Sequence, residues 1–214
     1  MIVLTKGLPI SSQNIIGALE AESPTFIRET DNKVEFASGF PNMMYTLWGF
    51  ICTYRRFPTQ SAFVAYYQLV HQDALKGYDE TAVTARLLRS YPSLAREIHF
   101  FQLVKESNVF NDVSYCSYDD VEGGIDFKVT LGGKEYSILC YVQTQRSLWF
   151  RKKKDFRHTN PIMNAIDMPL DLSKGKKIGN WIVYDKVQVE LLLNKVINYA
   201  WIHYEQHPLE ILSS

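Results

Sequence analysis

The period of hydrophobic positions changes partway along this chain, and the change divides it. Between Pro41 and Ser90 apolar residues recur every three or four positions. Met43, Met44, Leu47, Trp48, Ile51 and Cys52 form one set, Phe63, Tyr66, Tyr67 and Val70 a second, and Val83, Leu87 and Leu88 a third. Such spacing lines one side of a helix, so three helices are predicted here. Thr59, following the Phe57-Pro58 break, and Asp79 are the expected caps of the second and third. Pro92 suits a first helical turn and opens a fourth predicted helix, reaching about Glu106, with Leu94, Ile98, Phe101 and Val104 inward. From Ile125 the period drops to two: Ile125, Phe127, Val129 and Leu131 alternate with Asp126, Lys128 and Thr130. That is the period of a strand with one packed face. Gly132-Gly133 is a hairpin turn signal, and Glu135–Thr144 returns as a second, more apolar strand. Ile162–Leu172 reads as a further strand, put at an edge or bulge by Pro169. Gly175-Lys176-Lys177 reads as a turn and Trp181–Tyr184 as a last short strand. Asp185 caps a long final helix carrying Val189, Leu192, Leu193, Val196, Ile197 and Ala200. Ahead of Pro41, Ser11 to Asn14 can cap a short helix through Glu22, and Phe26–Phe36 reads as a small hairpin. The expected organisation is a mainly helical amino-terminal region, 1–90, followed by an α/β core, 91–214. In that core a mixed β-sheet is flanked by helices.

Composition narrows the classes. The chain has 214 residues, 46% hydrophobic and 21% charged, enough for one substantial core. Its 23 basic and 23 acidic residues cancel, so attraction for a polyanion must come from local clustering. Such a cluster exists between Arg146 and His158, where Arg146, Arg151, Lys152, Lys153, Lys154, Arg157 and His158 face a single acidic residue, Asp155. This density suits a phosphate backbone; a solvated helix face with Phe150 and Phe156 packed beneath it is the other reading. Cys52, Cys116 and Cys140 have no metal-ligand spacing, and Cys52 and Cys140 lie in apolar runs, so buried free thiols are expected. The amino terminus lacks signal-peptide character, and no apolar run reaches the ~18 residues of a membrane span. A cytoplasmic protein without a membrane partner is the expectation. No nucleophile, histidine and carboxylate can be grouped into a triad, and no phosphate-cradling glycine loop is present. Serine hydrolases, kinases and nucleotide hydrolases are therefore set aside.

Two carboxylates stand out against this background. Glu97 falls between Leu94 and Phe101 on the packed side of its helix, where an unpartnered carboxylate would be costly. It should therefore be paired, protonated or at a metal. Asp126 opens the alternating strand directly after Gly123-Gly124-Ile125.

A helix glutamate, Gly-Ile-Asp at a strand start, a glycine hairpin and an apolar strand, in that order, resemble the PD-(D/E)XK nuclease superfamily over roughly Tyr91 to Tyr204. The resemblance implies a restriction-endonuclease-like core, with Glu97 and Asp126 as ligands of Mg²⁺ (or Mn²⁺). It also implies a (D/E)-x-K motif on the next strand, about where this chain has Cys140-Tyr141-Val142. Neither Cys140 nor Val142 can take those parts toward a hard cation. Gln143, one register along, is the oxygen donor that could replace the acid. Lys128, or one of Lys152, Lys153 and Lys154, could replace the lysine. The resemblance thus implies a metal-dependent nuclease acting on DNA in preference to RNA, with Asp126, Glu97, Gln143 and Lys128 at the catalytic centre. The alternatives are an inactive nuclease-like module that binds nucleic acid, or a protein-interaction subunit. Either would belong to a homodimer or to a larger defence, repair or mobile-element assembly.

Overall fold

The computed structural model describes residues 3–4, 9–37, 39–121, 123–144 and 162–206. The chain divides into two compact units. A helical unit comprises Leu8–Gln102 and Gly175–Val183, and a sheet unit comprises Met1–Gly7, Leu103–Lys174 and Tyr184–Ser214. The protein is mixed α/β, and among the described residues no helix is long and apolar enough to cross a membrane.

The helical unit begins with α1, Ser12–Glu20, closed by a reciprocal capping box between Ser11 and Asn14. The hairpin expected over Phe26–Phe36 is absent, and α2, Asn32–Glu35, stands in its place. Asp31 decides this locally, because its carboxylate accepts the Lys33 N–H at 2.8 Å and starts a helical turn. Arg86 and Arg89 then tie the segment down. Arg86 donates to the Val34 carbonyl and lies over the Phe40 ring at 4.1 Å, while Arg89 pairs with Glu35. Next come α3, Met43–Tyr54, and α4, Gln60–Val70, the latter capped by Thr59 as expected. Met44, Leu47, Trp48, Ile51, Phe63 and Tyr67 are buried, as the helical period requires. Cys52 is exposed rather than buried. It lies just past the end of the packed stripe, which closes at Ile51.

The third and fourth expected helices are one. The single helix α5, Glu80–Ser107, runs straight through Pro92. An interior proline deprives the carbonyl four residues earlier of its donor. Here that carbonyl belongs to Leu88, and the Gln60 side chain replaces the missing N–H at 2.9 Å. Gln60 is 1% exposed, and it also accepts from the Thr25 N–H and donates to the Thr25 carbonyl. The residues 176–183 form their own small sheet, β6 (Lys176–Ile178) with β7 (Trp181–Val183), turning at Gly179-Asn180. The turn expected at Gly175-Lys176-Lys177 is thus a strand start, and Trp181 is not on the main sheet. The positive φ of Gly179 fixes the true turn.

In the sheet unit five strands lie in chain order: β1 (Val3–Leu4), β2 (Asp112–Cys116), β3 (Phe127–Leu131), β4 (Lys134–Val142) and β5 (Ala165–Leu170). The pairs β1–β2, β2–β3 and β3–β4 are antiparallel and β4–β5 is parallel, so the sheet is mixed as expected. The hairpin at Gly132-Gly133 is present, with φ of 58° and 77°. Pro169 sits on the edge strand β5, opposite Tyr141. Strand β2 and the short helix α6, Ser117–Val121, had no counterpart in the expected elements. Val113, Tyr115, Phe127, Val129, Tyr136, Ile138, Ile166, Met168 and Leu170 are the buried hydrophobic side chains of β2 to β5 among the described residues. The last helix, α7 (Lys186–Gln206), buries Val189, Leu192 and Val196. Asp185 begins it: its carboxylate accepts the Lys186 N–H, and its own N–H donates to Gln188.

Candidate metal centre

Asp126 precedes β3 at a break in its regularity. Phe127 is the register partner of Ile138, yet the Asp126 N–H also donates to the Ile138 carbonyl at 3.0 Å. Two residues thus address one across the ladder, a bulge-like step of the kind that re-aims a side chain. Strict alternation along β3 stops there. It therefore does not carry back to Asp126 the parity that would set Lys128 on the same side.

The chain reaches Asp126 through a tight return from α6. The Gly124 N–H donates to the Asp120 carbonyl at 3.1 Å and the Ile125 N–H to the Asp119 carbonyl at 3.0 Å. Gly124 has φ of 67°, and a Cβ at Gly123 would stand 2.6 Å from the Asp119 oxygen. Only glycine fits at Gly123 without a backbone shift, and the return is as short as it is for that reason.

This return brings Asp120 back beside Asp126. One carboxylate oxygen of each lies within 4.8 Å of the other. A cation with metal–oxygen bonds of about 2.0–2.6 Å can touch both. Each carboxylate is also oriented by a protein donor. The hydroxyl of Tyr115, a buried residue on β2, donates to Asp120 Oδ2 at 2.7 Å. The backbone N–H of Cys140 donates to Asp126 Oδ2. Like charges at this range repel, and a positive group is their natural complement. Hard carboxylate oxygens held in place by hydrogen bonds are a donor set that suits Mg²⁺ or Mn²⁺ and does not suit a soft metal.

The other expected site residues are distributed as follows. Glu97 stands half-buried on α5 in the helical unit. Lys128 is engaged elsewhere: its ammonium lies 2.9 Å from Asp119 and 3.1 Å from Glu135. The hydrogen bond it donates to Asp119, aided by Glu135, raises its pKa above the ordinary lysine value. Gln143 follows the end of β4; its backbone N–H donates to Leu170 at 2.8 Å and its side chain is exposed. Arg146, Arg151, Lys152, Lys153, Lys154, Arg157 and His158 lie outside the described residues. Reasoning from the sequence missed Asp120. The available signal was its place in Tyr118-Asp119-Asp120, just ahead of a Gly-Gly pair that folds the chain back on itself.

No family model, no curated protein and no solved structure matches this chain.

Proposed function

We propose that this protein is a metal-dependent nuclease acting on DNA phosphodiesters, built on a restriction-endonuclease-like core. The observation that carries the reading is the pair Asp120 and Asp126, each oriented by a neighbouring donor at the entrance to β3. Glu97, on α5, is the further carboxylate that the nuclease resemblance implies. Mg²⁺ or Mn²⁺ held by these residues would lower the pKa of a bound water and offset charge on the scissile phosphate.

The chain's own contributions are positional. The Gly123-Gly124 return fixes Asp120 against Asp126 before any ligand arrives, and the Cys140 N–H and the Tyr115 hydroxyl hold the carboxylates in orientation. The basic segment Arg146–His158 belongs to the connection between the parallel strands β4 and β5. In a protein whose charges cancel overall it supplies the cations that meet phosphates. Replacing Lys152, Lys153 and Lys154 with alanine flattens the salt dependence of duplex binding, by about 0.9 in the log–log slope for each phosphate no longer neutralised; an unchanged slope assigns those lysines to solvent.

A second reading has its own support. The side chain at Cys140 offers no charge to a cation, and Lys128 is held by two carboxylates. Both features favour a nuclease-like module that binds nucleic acid without cutting it. Plasmid, linear and single-stranded DNA, incubated with Mg²⁺, Mn²⁺ or EDTA, separate the two. Cutting by the wild type that EDTA and Asp126→Ala both abolish, with DNA binding retained, supports the enzyme. Binding without cutting, or equal traces of cutting by both proteins, supports the inactive module.

A further inference from the structure

The stretch that builds α3 and α4 differs from the rest of the chain in its charge. From Phe36 to Gln72 there is no acidic residue, and the only formal charges are those of the adjacent Arg55 and Arg56. Both are exposed, and among the described residues no carboxylate pairs with either. Arg86 and Arg89, by contrast, are tied to backbone carbonyls and to Glu35. Aromatic residues surround the two free cations. Helix packing accounts for Phe50, Phe63 and Tyr67, which are buried, but it leaves Tyr54 48% exposed. Tyr54 is clustered with Phe50 and Tyr66, the three ring centroids lying 4.6, 5.2 and 5.8 Å apart, and Arg56 lies over the Phe50 ring at 5.9 Å. A ring held by two others offers its outer face at little cost in ordering.

Tyr66 also lines a cavity of about 220 Å³ with Asn42, Gly49, Val70 and His71, and no formally charged residue lines it. Gly49 lies inside α3, where glycine is among the least favourable residues. A Cβ there would meet nothing nearer than the Tyr66 hydroxyl at 3.9 Å, an ordinary contact. Packing within the chain does not demand this glycine, and its bare backbone deepens the cavity. Asn42 spends its side-chain oxygen on the Tyr45 N–H, and His71 Nε2 meets Thr46. Among the described residues the Asn42 amide nitrogen, the His71 Nδ1 and the Tyr66 hydroxyl have no protein partner.

We propose that this pair of helices binds single-stranded nucleic acid. Arg55 and Arg56 meet its phosphates, one base stacks on Tyr54, and another enters the cavity beside Gly49 and Tyr66. Rings beside unpaired guanidinium groups suit an unpaired strand, because every base has a face to stack. An uncharged cavity with both donors and an acceptor suits the edge of a base. An acidic peptide would use the arginines and leave the rings and the cavity idle. The inference goes beyond the nuclease reading and needs no metal.

The test is binding of fluorescein-labelled strands to the full chain in EDTA, read by anisotropy. The probes are single-stranded DNA, the matching RNA and an abasic strand of equal length, with polyglutamate as a competitor. Thermal unfolding accompanies each variant. The expected result is that DNA or RNA binds at least about 5-fold more tightly than the abasic strand, and that Tyr54→Ala and Gly49→Leu each remove about 5-fold of that affinity. Leucine is a good helix former, so Gly49→Leu fills the cavity without unfolding α3. Replacing Arg55 and Arg56 with glutamine is expected to lower the salt slope by about 0.7 for each phosphate released. Equal affinity for the abasic strand overturns the proposal, as does wild-type affinity in both Tyr54→Ala and Gly49→Leu. Displacement by polyglutamate as effective as by unlabelled strand assigns the arginines to an acidic partner and also overturns it. Binding that survives these variants and is lost when Lys152, Lys153 and Lys154 become alanine does the same. A wild type that cuts DNA yet fails these tests leaves the nuclease reading standing without this inference; one that passes them without cutting leaves the inference standing alone.

Discussion

Gln60 and Asp126 are both held by backbone partners, but the direction of service is opposite. In the helical unit the Gln60 side chain serves the backbone, donating to the Leu88 carbonyl orphaned by Pro92 and bonding Thr25 in both directions. Tyr67 and Tyr91 do the same for the Pro41 and Pro58 carbonyls, and Arg89 for those of Ile27 and Glu29. At the α6–β3 corner of the sheet unit the chain serves the side chains. The Cys140 N–H donates to Asp126, and the Tyr115 hydroxyl donates to Asp120. Where polar side chains complete the backbone, they are scaffold, and removing one exposes an unsatisfied buried group. Where other groups complete carboxylates, the carboxylates are the object being positioned.

The contrast predicts different consequences of mutation. The largest loss of stability belongs to Gln60→Leu. It strands the Leu88 carbonyl in a buried setting, at about 1–3 kcal/mol, and removes both bonds to the exposed Thr25 as well. Urea unfolding should register the full loss with Mn²⁺ affinity unaltered in the molecules that remain folded. A Gln60→Leu protein as stable as wild type would mean that Pro92 needs no substitute donor.

Gly123→Ala should come next. Its Cβ meets the Asp119 oxygen at 2.6 Å, so the return must open at roughly 1–3 kcal/mol, the usual cost of forcing atoms into filled space. Here, unlike Gln60→Leu, the loss should be accompanied by weaker Mn²⁺ binding, because the return sets the spacing of Asp120 and Asp126. Loss of stability alone would show that the spacing is fixed by β2 and β4 without the loop.

The smallest effect expected is a dependence on pH within the helical unit. Burial lowers the pKa of His71, whose Nε2 lies 2.7 Å from the Thr46 hydroxyl. Since Thr46 Oγ1 also donates to the Asn42 carbonyl, the imidazole is the donor to that hydroxyl. A histidine with a folded pKa below its unfolded value binds its proton more readily when unfolded. Its share of stability is therefore present above about pH 6.5 and declines as the pH falls through that value. Comparing urea midpoints at pH 8 and pH 5.5 for wild type and His71→Gln checks this. An equal decline in the two proteins would remove His71 from the explanation.

Much of the fold could be read from the sequence because burial follows period. The stripes of α3 and α4, the alternation of β3, the Gly132-Gly133 hairpin and the cap at Asp185 are all local signals. What escaped reading depends on partners distant in sequence. Pro92 ends a helix on local grounds, and only Gln60, from another helix, lets α5 continue. Strand β2 is a short run whose hydrogen-bond partners lie on β3. The candidate site divides in the same way. Asp126 was legible from its glycine and strand setting. Asp120 was not, since its place beside Asp126 is made by a backbone return that no spacing rule encodes. Lys128 was expected near the chemistry as a stand-in for the missing lysine, and Asp119 and Glu135 hold it instead.

The central claim is that the α6–β3 corner is built to hold a divalent cation, whereas the polar groups that complete the backbone of the helical unit are built to hold the chain. Titration of Mn²⁺ into wild type, Asp126→Asn and Gln60→Ala, each checked for folding, tests it most directly. The account predicts a site in the wild type that persists in Gln60→Ala and is lost in Asp126→Asn. Equal Mn²⁺ binding by wild type and Asp126→Asn would contradict it.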